Sequence, residues 1–133
     1  MTQPAPQTGR FDFATQRPRD DGCGGFVLQM LTGVPYDEIA RRLGWTGDSV
    51  HHSSWVEMRK VLTGLDWQFD EPVLAKSWDD VQGLAIVHVR EDHFMLYDGE
   101  NGLFYDPAEP AGPQQSSSRV PIAFMTVTPP RSP

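Results

Sequence analysis

The chain has 133 residues, enough for one domain with a real core, and its 38% hydrophobic and 22% charged residues are the balance of a soluble globular protein, not a fibre. A net charge of -7 argues against a surface that tracks phosphates with clustered Lys and Arg, so nucleic acid is not an expected partner. The single Cys excludes an intramolecular disulfide and a Cys-based zinc cage, and no apolar run approaches the ~20 residues that cross a bilayer, so no membrane partner is expected.

Residues 1–10 mix Pro, Gln, Thr and Gly without periodicity and read as a flexible N-terminus. They lack the apolar core of a signal peptide, so the chain is expected to be cytoplasmic at synthesis; export by a dedicated secretion system that needs no cleaved signal is compatible with this sequence. A single domain is expected over 11–128, followed by a flexible C-terminus at 129–133, and there is no internal repeat. Within the domain, residues 23–31 are apolar with good helix formers and are closed by Thr32-Gly33. A second helix is predicted at 36–43, with Pro35 at its opening and Gly44 past its end. A third is predicted at 55–62, with Ser53 or Ser54 as N-cap, Glu57 placed for a capping box, and Trp55, Met58, Val61 and Leu62 on one face. The second half reads as strands at 84–90, 93–98, 102–106 and 122–128, with 108–118, rich in Pro, Gly and Ser, as a surface loop before the last. Helices first and an antiparallel meander afterwards indicate an α+β fold.

Cys23 stands at the start of the first predicted helix, between Gly22 and Gly24. Unpaired backbone N–H groups and the helix dipole favour a thiolate there, and the Cys23 N–H could face a developing oxyanion. A buried, inert thiol is the competing reading, because free Cys is among the most buried residue types. Four histidines compete for the role of base. His88 falls inside a strand, and His51 and His52 lie in the loop GDSVHHSS. A weak metal site from His51, His52 and Asp48 has no HExxH-type spacing behind it, so a solvated loop is the simpler reading and no metal is expected. His93 opens the strand HFMLYD after the turn Glu91-Asp92, at a sheet rim. If the loop 99–102 pairs Asp98 with Leu103, Tyr97 faces Phe104 and Met95 faces Asp106, which makes His93 and Asp106 diagonal neighbours at ~7–8 Å between α-carbons. That spacing suits a carboxylate orienting an imidazole. Asp106-Pro107 as an ordinary turn at a strand end is the plain alternative.

The strings DDGCGGFVLQMLTG, DHFMLYDG and LFYDP together resemble the nucleophile, histidine and aspartate motifs of papain-like cysteine peptidases. The likeness is strongest to the branch that cleaves bacteriocin leaders after a double glycine, covers residues 15–107, and keeps the order Cys, His, Asp. It implies a papain-like fold with the nucleophile at a helix N-terminus and the N-terminal helices packed on a C-terminal antiparallel sheet. It also implies Cys23 as nucleophile, His93 as general base and then acid, and Asp106 as the residue orienting His93. The oxyanion hole would come from Gln16 and the Cys23 N–H, no cofactor is needed, and a bacterial or phage source fits. Gln16 lies seven residues before Cys23, about one more than the usual family spacing, and Gly22 intervenes after Asp21 where the leader-peptidase branch commonly has Asp directly before the nucleophile.

The expected function is therefore a cysteine peptidase or amidase acting through a thioester on a peptide or protein substrate. The same three residues serve an acyltransferase, and an inactive papain-like module that binds a peptide or partner protein is the non-enzymatic alternative. Trp45, Trp55 and Phe94 are candidates for the substrate groove, with core packing as the simpler role. The small size leaves room for a partner protein that supplies specificity.

Overall fold

The computed structural model describes residues 11–13, 23–45, 54–109 and 112–130. Among these residues three helices come first: α1 (Cys23–Thr32), α2 (Tyr36–Leu43) and α3 (Trp55–Gly64). Six strands follow: β1 (Gln68–Phe69), β2 (Val73–Leu74), β3 (Leu84–Val89), β4 (His93–Asp98), β5 (Leu103–Tyr105) and β6 (Pro121–Thr128), with a 3₁₀ turn at Trp78–Asp80 between β2 and β3. All pairings are antiparallel, in the order β1-β6-β3-β4-β5, and β2 joins the outer side of β6 next to β1.

Local chemistry explains the helices. In α1, Phe26, Val27, Leu28, Met30 and Leu31 are all buried, because the helix lies between α2, α3 and β4. Its one long polar side chain, Gln29, accepts a hydrogen bond from the Tyr36 N–H at 2.7 Å and so satisfies a donor at the start of α2. The α2 helix carries Asp37 and Glu38 in its first turn and Arg41 and Arg42 in its last, which complements the dipole, and Gly44 closes it at φ 75. Ser54 is the N-cap of α3 and accepts from the Glu57 N–H. Instead of completing a capping box, the Glu57 carboxylate takes the Ser54 hydroxyl at 3.1 Å and the Trp45 indole at 3.0 Å, which pins the end of the α2 region to α3.

Strands β3, β4 and β5 are buried on both faces, which is why β3 reads as the unbroken run LAIV and does not alternate with polar residues, whereas β6 alternates between buried and more exposed positions. Leu84, Ile86, Phe94, Leu96, Leu103, Tyr105, Met125 and Val127 pack with the three helices. Ala85, Val87, Val89, Met95 and Phe104 form a second, smaller layer closed by Ala75, Val81 and Trp78. The segment that closes it, with β1 and β2, has no counterpart in the predicted elements. Two-residue strands have no periodicity of their own, and these exist only because β6 offers them an edge. The expected loop at 108–118 is also more structured than its composition suggests: Gly112 and Pro113 are buried, and Gln114 exchanges both backbone hydrogen bonds with Phe104, covering the outer edge of β5.

Candidate active site

Strand β4 opens at His93, directly after a turn of three residues, Arg90 to Asp92, one more than the two expected. Glu91 and Asp92 both hold positive φ there, at 75° and 54°. Asp92 also takes up His88, whose Nε2 lies 3.1 Å from the Asp92 carboxylate and whose ring packs on Phe94. His88 is thus a sheet residue with a local partner.

The β4–β5 register is the one that the turn at 99–102 suggests, with Asp98 opposite Leu103, Tyr97 opposite Phe104 and Leu96 opposite Tyr105. Alternation then puts His93, Met95, Phe104 and Asp106 on one face and Phe94 and Leu96 on the face toward α1. His93 and Asp106 meet across the diagonal: His93 Nε2 lies 2.6 Å from Asp106 Oδ1. Both side chains are largely covered, at 10% and 13% exposure.

Asp106 has further partners. Its Oδ1 also accepts the Ala108 N–H at 2.9 Å, the local turn expected of an Asp-Pro strand end, and its Oδ2 accepts Arg119 Nε at 2.8 Å. Burial alone would raise the pKa of this carboxyl, but the hydrogen bonds from His93, Arg119 and Ala108 outweigh it and lower the pKa to about 2. An ionised carboxylate only accepts hydrogen bonds, so Nε2 of His93 carries the proton in this pair and Nδ1 is the nitrogen left for proton transfer in the neutral ring.

Cys23 is the first residue of α1, and α1 packs against β4, the strand that His93 opens. Gln16, Asp21, Gly22, Asp48, His51 and His52 lie outside the described residues, as do 1–10 and 131–133. Among the described residues no three His, Cys, Asp or Glu side chains gather as metal ligands would, and no helix is long and apolar enough to cross a membrane. Trp55 and Phe94 meet edge to face at 5.1 Å and Phe94 is buried, while Trp45 lies tilted 6.2 Å from Tyr36. Those three aromatics tie elements together.

Sequence reasoning missed Arg119. It follows the Ser-rich stretch 116–118, where nothing in the spacing distinguishes it from any surface cation, and only the return of that segment along β5 brings it to Asp106. A cleft of about 380 Å³ opens at the same place, lined by Phe104, Asp106, Glu109, Gln114, Ser117 and Arg119 among others.

No family model matches the sequence, and no curated protein matches it. Solved structures do. The chain superposes on a double glycine motif protease from an AMS/PCAT transporter, solved in complex with the leader peptide, with a TM-score of 0.67 and 17% identity over 90% of this chain and 92% of that one. It also superposes on the peptidase domain of Streptococcus ComA, a bi-functional ABC transporter involved in a quorum-sensing pathway, with a TM-score of 0.63 and 17% identity over 88% and 96%. Three helices packed on an antiparallel sheet, spanning nearly the whole of both neighbours, give this chain the papain-like fold of the double-glycine peptidase domains.

Proposed function

We propose that the chain is a cysteine peptidase or amidase in which Cys23 is the nucleophile, His93 the general base and then acid, and Asp106 the group that holds His93 in its working tautomer. The observation that carries this reading is the 2.6 Å contact between His93 and a strongly acidic Asp106, in a fold whose solved neighbours are peptidases.

With Asp106 accepting from Nε2, Nδ1 takes the proton of the Cys23 thiol, and the thiolate attacks the substrate carbonyl carbon. The oxyanion that forms is met by the Cys23 N–H at the start of α1 and by the Gln16 side chain. Collapse breaks the C–N bond, His93 returns the proton to the leaving amine, and a thioester remains on Cys23. His93 then takes a proton from water, hydroxide adds to the thioester, and the acid product leaves as the thiol is regenerated. Because one structural neighbour holds a leader peptide, peptides with a Gly-Gly sequence ahead of the scissile bond are the first substrates to try.

Cleavage of such peptides, read by mass spectrometry, is expected for the wild type and is expected to fall by at least about a thousandfold in Cys23→Ala and His93→Ala. Binding of the peptides without turnover would overturn the enzyme reading in favour of a binding module.

A further inference from the structure

The two oxygens of Asp106 have separate partners. Oδ1 accepts from His93 and from the Ala108 N–H, and Oδ2 accepts from Arg119 Nε at 2.8 Å. The carboxyl group therefore cannot turn away from His93 without breaking its bond to Arg119. Arg119 is itself held at three points. Its backbone carbonyl accepts the Trp78 indole N–H at 2.8 Å, its own N–H donates to Ser117 Oγ at 3.1 Å, and its Nη1 lies 3.7 Å from Glu91. Trp78 is braced in turn against Phe104 and Tyr97, with ring centroids 4.7 Å and 5.4 Å away.

A second consequence concerns charge. When the imidazole is neutral, a covered carboxylate beside it has lost its nearest cation, and a carboxylate deprived of both solvent and a cation tends to take up a proton. Arg119 remains charged throughout, so Asp106 stays ionised, and stays an acceptor, in both protonation states of His93. We infer that Arg119 is a positioning residue for the reaction, acting through Asp106 to keep the His93 ring in the tautomer and orientation that serve Cys23. The inference rests on the cysteine-peptidase reading above.

Cys23 is the only cysteine, so the mass gained on reaction with iodoacetamide reports it alone. Among the described residues, the ionisable groups on the elements around His93 are His88 on β3, Arg90, Glu91 and Asp92 in the β3–β4 turn, Tyr97 and Asp98 further along β4, Tyr105 on β5, and Asp106, Glu109 and Arg119 beyond it. Alkylation rates across pH would be compared for the wild type, Arg119→Met, Arg119→Lys and His93→Ala. The expected result for Arg119→Met is a rate about tenfold lower near pH 6 and a midpoint moved upward, with the rate near pH 10, where any thiol is ionised, within about twofold of wild type. A purely structural loss would alter the alkaline rate as well. Arg119→Lys keeps a cation but misplaces the donor, so a smaller shift in the same direction is expected, and it serves if Arg119→Met does not fold. Unchanged profiles in the folded variants, beside a wild type that is activated relative to His93→Ala, would overturn the role of Arg119 alone. A wild type that titrates like His93→Ala would overturn the peptidase reading and the role of Arg119 together.

Discussion

At the scale of single residues, Asp106 joins the candidate chemistry to stability. Its pKa drops from an ordinary 3.8 to about 2 on folding, so the stability it contributes is fully present above the unfolded value and is lost as pH falls through 3.8 toward 2. The size is about 2–3 kcal/mol, from the shift at ~1.4 kcal/mol per pKa unit. Urea unfolding should therefore find Asp106→Asn less stable than wild type by about this amount near pH 6, with the gap closing as the pH is lowered to about 2. A gap that stays constant with pH would mean that the hydrogen bonds to Asp106 do not depend on its charge. Arg119 shows where residue-level reading of a sequence stops. His93 and Asp106 could be paired on paper because one short loop fixes the register between them, whereas Arg119 reaches Asp106 through a segment with no periodicity to count along.

Between elements, packing overrides propensity most clearly at Gly25. This glycine lies inside α1, where Ala would favour the helix by about 1 kcal/mol. A Cβ there would stand 2.6 Å from Tyr36 Cε2, and Tyr36 has little room to yield because it stacks on Phe26 with ring centroids 4.2 Å apart. Gly25→Ala is expected to destabilise the fold by about 1–3 kcal/mol, the cost of overpacking, and a thermal melt that rose instead would show that Tyr36 can move aside. The three helices were readable from apolar spacing, Pro35, Gly44 and the Ser54 cap, because these signals lie within a few residues of the elements they bound. β1, β2 and the 3₁₀ turn were not, since two or three residues hold no pattern, and the partners of β1 and β2 on β6 lie about fifty to sixty residues further along the chain.

For the whole molecule, the double burial of the sheet's centre predicts how stability is distributed. The central strands β3 and β4 are covered on both faces, while β2 is two residues long at the sheet's outer side with Val73 53% and Leu74 80% exposed. Amide exchange should show β3 and β4 opening only with global unfolding and β2 exchanging orders of magnitude faster; uniform protection would contradict this layering. The sequence by itself determined the α+β class, the order of helices and long strands, and the register that makes His93 and Asp106 neighbours, because these depend on local periodicity, turn chemistry and one short hairpin. Only the tertiary structure decided that the sheet has a second buried face, that Trp78 closes it, and that Arg119 returns to Asp106. Those contacts join segments whose pairing is set by what the rest of the core leaves open, and no local pattern encodes that.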